Sequence, residues 1–166
     1  MGEMIRFART AISVGLVCVA MVALALDKAI SESYAKIQAA VLKKDSAEMK
    51  QIWLTYVDPS CEEDRKGKKT SYKKLTAAVE QQMKMIKKVN SCKIQVTASK
   101  TKGGKTVCTV ETQQAFVISI QGKDHVFEVV SVVEDTWKKI NGKFKIVGIK
   151  VIKETLKQDG KVIQSG

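Results

Sequence analysis

The sequence has few of the residues that mark disordered, metal-binding or nucleophile-dependent proteins. Its 166 residues include one proline, one histidine and 10 glycines, and so little proline and glycine excludes collagen-like and low-complexity chains. The histidine, His125, has no second histidine or cysteine at ligand spacing, and no Ser–His or Cys–His nucleophile is indicated. The glycines at 103–104 sit in a predicted hairpin tip and not in a phosphate-binding loop. We therefore expect no metal and no cofactor.

Arginine is also scarce, because only three of the 29 basic residues are arginine and two of them, Arg6 and Arg9, lie near the N-terminus. Proteins that read nucleic-acid sequence rely on the planar guanidinium for bidentate contacts, so no specific nucleic-acid partner is expected. The formal net charge of +12 comes from lysine. Two interpretations stay open: a solvated lysine-rich surface, or binding to an acidic polymer or an anionic envelope.

The first 26 residues have the pattern of an export signal. Arg6 and Arg9 precede an uncharged apolar run over 11–26, which ends with the small-x-small pattern Ala23-Leu24-Ala25. This pattern is typical of a secretory signal peptide and predicts a signal peptide at 1–25, a mature domain at 26–166 and a secreted or periplasmic protein. The run is short for a spanning helix, which needs roughly 20 residues. An uncleaved anchor is the alternative and would be the membrane attachment.

Cleavage would leave three cysteines, Cys61, Cys92 and Cys108. An odd number permits at most one internal disulfide in an oxidising compartment. Cys61 and Cys92 flank a predicted helix and are the pair that we expect. Three buried free thiols are the alternative.

Three amphipathic helices are predicted in the first half of the mature chain. The first carries apolar residues at helical spacing from Ile30 to Val41. Asp45 caps the second, which ends before Pro59. Thr70 or Ser71 caps the third, which is expected to run to about Val89. A charged loop over 61–69 separates the last two helices.

From Asn90 onward the hydrophobic period changes to two, which predicts strands. Four glycine-containing pairs read as hairpin turns: Gly103-Gly104, Gly122-Lys123, Asn141-Gly142 and Asp159-Gly160. The predicted strands are about 93–101, 105–120, 124–139, 143–157 and 161–164. Three helices and a curved antiparallel meander define an α+β protein in which the helices cover one face of the sheet.

The turns fix a register and therefore two faces. The predicted pairs are Trp137 with Ile146, Asp135 with Gly148, His125 with Ile120 and Ser131 with Gln114. One face is then continuously apolar and should lie under the helices: Cys108, Val110, Phe116, Ile118, Ile120, Phe127, Val129, Val133, Trp137, Ile146 and Ile152.

A few polar residues interrupt this inner face and are candidates for a ligand pocket: Thr112, Gln114, Ser131, Asp135 and Lys150. The alternative is an Asp135–Lys150 ion pair at an open rim. The outer face carries Val117, Val126, Val130, Val132, Val147, Ile149 and Val151. So apolar a strip suggests a protein partner, including a homodimer, unless terminal segments of the chain cover it.

Several segments resemble the nuclear-transport-factor-2-like superfamily, and in particular its SnoaL-like bacterial branches. They are the first helix over Tyr34–Asp45, its break into the helix that contains Trp53, Gly67 ahead of the third helix, and the strand–turn–strand ending over Val133–Ile146. The resemblance implies a cone of three helices and a curved sheet around an apolar cavity. Members include ketosteroid isomerases, scytalone dehydratase, polyketide cyclases and limonene epoxide hydrolases, and also proteins that only bind.

The resemblance implies site residues as well. Tyr34 stands where the isomerase-type members carry a tyrosine on the first helix, and Asp58 and Asp135 could supply the carboxyls. Asp58 could instead serve the turn at Pro59, and Tyr34 could simply pack in the core. Trp53 and Tyr56 of the second helix complete the expected ligand-binding set.

Three functions are therefore expected. The first is an exported, non-catalytic domain that binds a small apolar ligand or a protein partner. The second is a lyase or isomerase that acts on an apolar carbonyl compound in the cone. The third is electrostatic binding to an anionic polymer or surface.

Overall fold

The computed structural model describes residues 27–166, so the predicted signal peptide lies outside the described residues. The described part begins with two helices, α1 (Lys28–Lys43) and α2 (Ser46–Tyr56), and a third, α3 (Tyr72–Met85), follows later. The Asp45 carboxylate accepts hydrogen bonds from the backbone N–H groups of Ala47 and Glu48, each at 2.9 Å. It therefore caps α2 as the sequence predicts.

Seven strands form one curved, open, mixed sheet in the order β2-β1-β6-β5-β4-β3, and β7 also pairs with β6. β1 runs parallel to β6, and the other pairs are antiparallel. The α+β class is confirmed. The strands are β1 (Val57–Arg65), β2 (Lys68–Ser71), β3 (Ile86–Lys102), β4 (Lys105–Ile120), β5 (Lys123–Ile140), β6 (Lys143–Gln158) and β7 (Lys161–Ser165).

The charged segment over 61–69, predicted as a loop, is instead the β1–β2 hairpin. Lys66 and Gly67 form its turn with φ of 53° and 82°. The third helix is also shorter than predicted, because it ends at Met85 and Ile86 already begins β3. The predicted loop is therefore a hairpin, and the predicted last turn of the third helix belongs to a longer β3.

The turn between β4 and β5 is Gln121-Gly122 and not Gly122-Lys123. Both residues have positive φ, 52° and 80°. His125 consequently lies opposite Ile118 and Ser131 opposite Thr112, which shifts the predicted pairing by two residues. A shift of two keeps every side chain on its predicted face, so the inward positions of Phe116, Phe127 and Trp137 are confirmed.

Two irregularities in the β5–β6 ladder correct the predicted faces of β6. Trp137 pairs with Ile146 as expected, but the register shifts next to it, and Asp135 lies opposite Ile149 instead of Gly148. Ile149 and Val151 are therefore buried, while Ile152 is 45% exposed. Their predicted faces were wrong for this reason.

The helices cover the inner face of the sheet, where α1 packs on β3 and α3 on β1. The larger apolar cluster lies beneath them and includes Tyr34, Leu75 and Trp137. A smaller cluster gathers around Phe116 and Phe127, whose rings stack with centroids 6.0 Å apart. The core therefore lies between helices and sheet, as the periodicity predicts.

The three described cysteines are free and buried. Cys61 lies on β1 and Cys92 on β3, and strands β6, β5 and β4 lie between them in the sheet. Neighbouring strands are about 4.8 Å apart, whereas a disulfide needs Cα atoms within about 7 Å. The expected Cys61–Cys92 bridge is therefore wrong. Within 27–166, no helix is long and apolar enough to cross a membrane.

Candidate functional site

The inner site is a hydrogen-bonded chain of three buried side chains from α1 and β5. Trp137 Nε1 donates to the Tyr34 hydroxyl at 2.6 Å, and this hydroxyl donates to Asp135 Oδ2 at 3.1 Å. Tyr34 lies on the apolar stripe of α1, and Asp135 and Trp137 are two residues apart on the inward face of β5. The two aromatic rings meet edge to face with centroids 5.2 Å apart.

Burial controls the protonation of this site. It raises the pKa of Asp135 to about 7, and the hydrogen bond from Tyr34 opposes this rise in part. Burial also raises the pKa of Tyr34 well above its ordinary value, and the Asp135 charge adds to the effect. The tyrosine therefore keeps its proton and can act as a donor, while the carboxyl can exchange a proton near neutral pH.

Two thiols belong to the same surroundings. The pKa of Cys61 and that of Cys108 each rise to about 12, first through burial and then through the nearby Asp135 charge. A thiol must ionise to act as a nucleophile. Both cysteines are therefore packing residues at neutral pH.

The inner site is closed by the protein's own packing. Tyr34 and Trp137 are 0% exposed and Asp135 is 2% exposed. A carboxyl with this pKa and a neutral hydroxyl could together move a proton and polarise a carbonyl. In this arrangement a substrate has no direct access to either group.

Two of the other polar residues predicted on the inner face, Thr112 and Ser131, are also sealed. Thr112 and Ser131 are each 1% exposed, and their hydroxyls hydrogen-bond to each other at 2.6 Å. Gln114 is half-buried on β4. These three residues lie on the predicted face, where Thr112 and Ser131 satisfy each other without a ligand.

A charged cluster with two buried carboxylates, Glu63 and Glu154, lies next to them and was not predicted from the sequence. Arg65 binds Glu154 through two parallel contacts of 2.8 and 3.2 Å, and its Nε lies 3.7 Å from Glu63 Oε1. Glu154 is the register partner of Ser131. Arg65 and Glu63 fell in the segment predicted as a charged loop, and the contact that holds Arg65 comes from Glu154, 89 residues away in the sequence.

Two predicted residues lie away from the inner site. Lys150 is exposed on the outer face opposite Glu134, so neither its inward position nor an Asp135–Lys150 pair is present. Asp58 accepts hydrogen bonds from Ser60 N and Oγ at 2.9 and 2.6 Å. These bonds are the main cause that lowers its pKa, and Asp58 serves the turn at Pro59.

An open apolar cleft of about 290 Å³ lies between α2 and α3. Trp53, one of the predicted ligand-binding residues, forms part of its wall and donates from Nε1 to Thr76 Oγ1 at 2.8 Å. Tyr56, one turn on, is half-buried against the larger core. The lining residues are Ala47, Met49, Lys50, Trp53, Thr76, Val79, Glu80, Met83 and Lys84.

His125 binds the Asp159 carboxylate through Nδ1 at 2.7 Å beside the last hairpin. Across residues 27–166, no three histidine, cysteine or acidic side chains are grouped to hold a metal ion.

No protein-family model matches the sequence, and no curated protein matches it. Solved structures do match its fold. A conserved protein from Planctomyces limnophilus DSM 3776 is 12% identical over 75% of this chain and 94% of its own, with a TM-score of 0.61. A nuclear transport factor 2-like superfamily protein from Salmonella enterica serovar Typhimurium is 17% identical over 74% and 86%, with a TM-score of 0.53.

A third similar structure is a type 2 hexachlorocyclohexane dehydrochlorinase (LinA), which is 9% identical over 83% of this chain and 85% of its own, with a TM-score of 0.53. Proteins with this architecture therefore include an enzyme, and the likeness to each of them is one of fold. The helices, the curved sheet and these matches agree: the chain has the nuclear-transport-factor-2-like fold.

Proposed function

We propose that this chain is an exported, non-catalytic domain that binds a small apolar ligand in the cleft between α2 and α3. The observation that carries the proposal is the contrast between the two sites. The inner site is filled by Tyr34, Asp135 and Trp137, which are at most 2% exposed, whereas the helix cleft is open and lined mainly by apolar side chains. Export rests on the sequence pattern before residue 27.

The cleft favours an amphipathic ligand with an anionic end. Met49, Val79 and Met83 form an apolar floor. Lys50 and Glu80 bridge the cleft at 3.1 Å, and Lys84, also on its wall, makes no ion pair within the described residues. A volume of about 290 Å³ lies at the small end for ligand pockets. A short fatty acid fits this combination of shape and charge.

The fluorescence of Trp53 can report ligand binding in the cleft. We expect octanoate, decanoate and dodecanoate to shift the fluorescence of Trp53, while Trp137 is 0% exposed and stays constant. Ala47 is exposed on the cleft wall, and Ala47→Phe should fill part of the volume and weaken binding by about tenfold, or about 1.4 kcal/mol.

Ala77→Phe is the matched control, because Ala77 is exposed on α3 outside the cleft lining. Equal weakening by the two substitutions would place the ligand elsewhere. Absence of binding by every fatty acid, and by alkyl ammonium compounds of the same lengths, would remove the ligand proposal.

A second copy of the chain is the protein partner that we propose for the outer face. Val126, Val130 and Ile152 are 38%, 45% and 45% exposed there. Glu128 and Lys157 of neighbouring strands flank them with charges of both signs. Such a surface is complementary to itself under twofold symmetry.

The alternative function is a lyase or isomerase, and the Tyr34–Asp135 hydrogen bond favours it. If the inner site opens in solution, the protein should convert a β,γ-unsaturated steroid ketone to its conjugated isomer, which ultraviolet absorbance follows. Asp135→Asn should then abolish turnover, because the amide cannot take the proton. Our proposal expects no turnover from either protein.

A further inference from the structure

Four lysines stand in one row across four strands at one end of the outer face. Lys102 of β3 lies opposite Lys105 of β4, Lys105 lies opposite Lys138 of β5, and Lys138 lies opposite Lys145 of β6. Directly opposite residues point to the same side of a sheet. Thr106, Trp137 and Ile146, each adjacent in sequence to one of these lysines, are buried, so the lysines point outward. We call these four residues the lysine row.

The lysine row costs stability. Like charges that face each other directly across neighbouring strands destabilise a sheet. Within residues 27–166 none of the four lysines makes an ion pair. Lys145 donates only to the Leu54 carbonyl at 3.4 Å, and Asp58 is close enough for Lys145 and Lys138 to help lower its pKa.

The other end of the sheet does not share this arrangement. There Lys87 pairs with Asp124 at 2.6 Å and Lys157 with Glu128 at 3.8 Å. Lysines that face one another across four successive strands are therefore a feature of one end of the sheet.

A cleft of about 550 Å³ continues the lysine row over β3 and β4. Lys100, Lys102 and Lys105 line it together with Val107 and Thr109, and Glu134 is its one acidic residue. A concave site of this kind admits a polymer chain, whereas a bilayer surface is flat. Strand spacing places successive lysine backbones about 4.8 Å apart, which suits a linear ligand with regularly repeated charges.

We propose that the lysine row and its cleft bind a linear acidic polysaccharide that lies across the strands. Lysine offers point charges that suit carboxylates without demanding bidentate geometry. A nucleic acid is disfavoured, because no aromatic side chain is among the exposed large apolar residues of 27–166 and stacking on aromatics supports such binding. This inference is independent of the α2–α3 cleft.

The test compares two triple variants with equal loss of charge. Lys105→Gln/Lys138→Gln/Lys145→Gln removes most of the lysine row, and Lys88→Gln/Lys123→Gln/Lys161→Gln removes three exposed lysines from the other end of the sheet. Binding to fluorescent polygalacturonate at low salt should weaken about tenfold, or about 1.4 kcal/mol, in the row variant. The control variant should bind polygalacturonate with nearly the affinity of the unchanged protein. Added salt should abolish binding by the unchanged protein and by both variants.

Thermal unfolding gives an independent readout. The row variant should unfold at the same temperature as the unchanged protein or higher, because it removes repulsion. Equal loss of binding in both variants would show a net-charge effect and overturn the proposal. The proposal would also be overturned if polygalacturonate did not bind at low salt. Tighter binding to duplex DNA or to phosphatidylglycerol vesicles than to polygalacturonate would overturn it as well.

Discussion

Asp135 makes the stability of this protein depend on pH in an unusual direction. Burial raises its pKa from 3.8 to about 7, so the folded state holds a proton that the unfolded chain releases. The stability from the neutral carboxyl is complete below about pH 4 and is lost as the pH rises to about 7. Most paired carboxylates in proteins have a lowered pKa instead, and the stability that they contribute is lost as the pH falls.

Asp135→Asn should remove this dependence. The amide oxygen can still accept the Tyr34 hydrogen bond, and it never becomes charged. Urea unfolding should give equal stability for both proteins near pH 4 and an advantage for the variant of up to about 4 kcal/mol near pH 8. A constant difference across this range would mean that Asp135 is already ionised when folded.

Asp58→Asn is the control for that measurement. Hydrogen bonds from Ser60 lower the pKa of Asp58, so the stability that it contributes is present above its unfolded value of 3.8 and is lost only in more acidic solution. Its removal should therefore leave the slope between neutral pH and about pH 5 unchanged.

At the scale of elements, turn chemistry explains which strands could be predicted. In the hairpin turns of the described chain glycine holds the second central position with φ between 72° and 82°. The pairs Asn141-Gly142 and Asp159-Gly160 have glycine in this position, so their turns could be predicted from the sequence. Gly122-Lys123 was misplaced because glycine was put first, whereas Gln121 takes the first position.

The β1–β2 hairpin could not be predicted from local pattern. Its residues are mostly charged, and contacts distant in sequence hold it, since β1 pairs with β6 and Arg65 binds Glu154, 89 residues away. Local pattern does not predict β-bulges either. The register shift beside Trp137 places Lys150 on the outer face instead of in the predicted pocket.

The candidate sites, too, could be predicted from the sequence only in part. Strand alternation and the α1 stripe correctly placed Tyr34, Asp135 and Ser131 on the inner side. Whether those side chains leave space between them depends on the distance between α1 and the sheet, which no periodicity encodes. The α2–α3 cleft likewise arises from how two helices pack, and only Trp53 pointed to it in advance.

The whole molecule has an outer sheet face with two different regions. Lys138 and Val130 lie on the same strand, eight residues or about 27 Å apart. The lysine row therefore occupies one end, and the exposed valines lie well away from it. A second copy could cover the apolar region and leave both lysine rows free, which would present two polyanion sites on one particle.

Val130→Glu tests this arrangement. Sedimentation over a range of concentrations should show a dimer of the unchanged protein and a monomer of the variant, because a dimer would bury two new carboxylates opposite each other. As a surface substitution it should change monomer stability by no more than about 0.5 kcal/mol. Gln81→Glu, on the exposed side of α3, adds the same charge away from the sheet and should leave the dimer intact. If the unchanged protein sediments as a monomer at every concentration, the exposed valines have some other purpose than self-association.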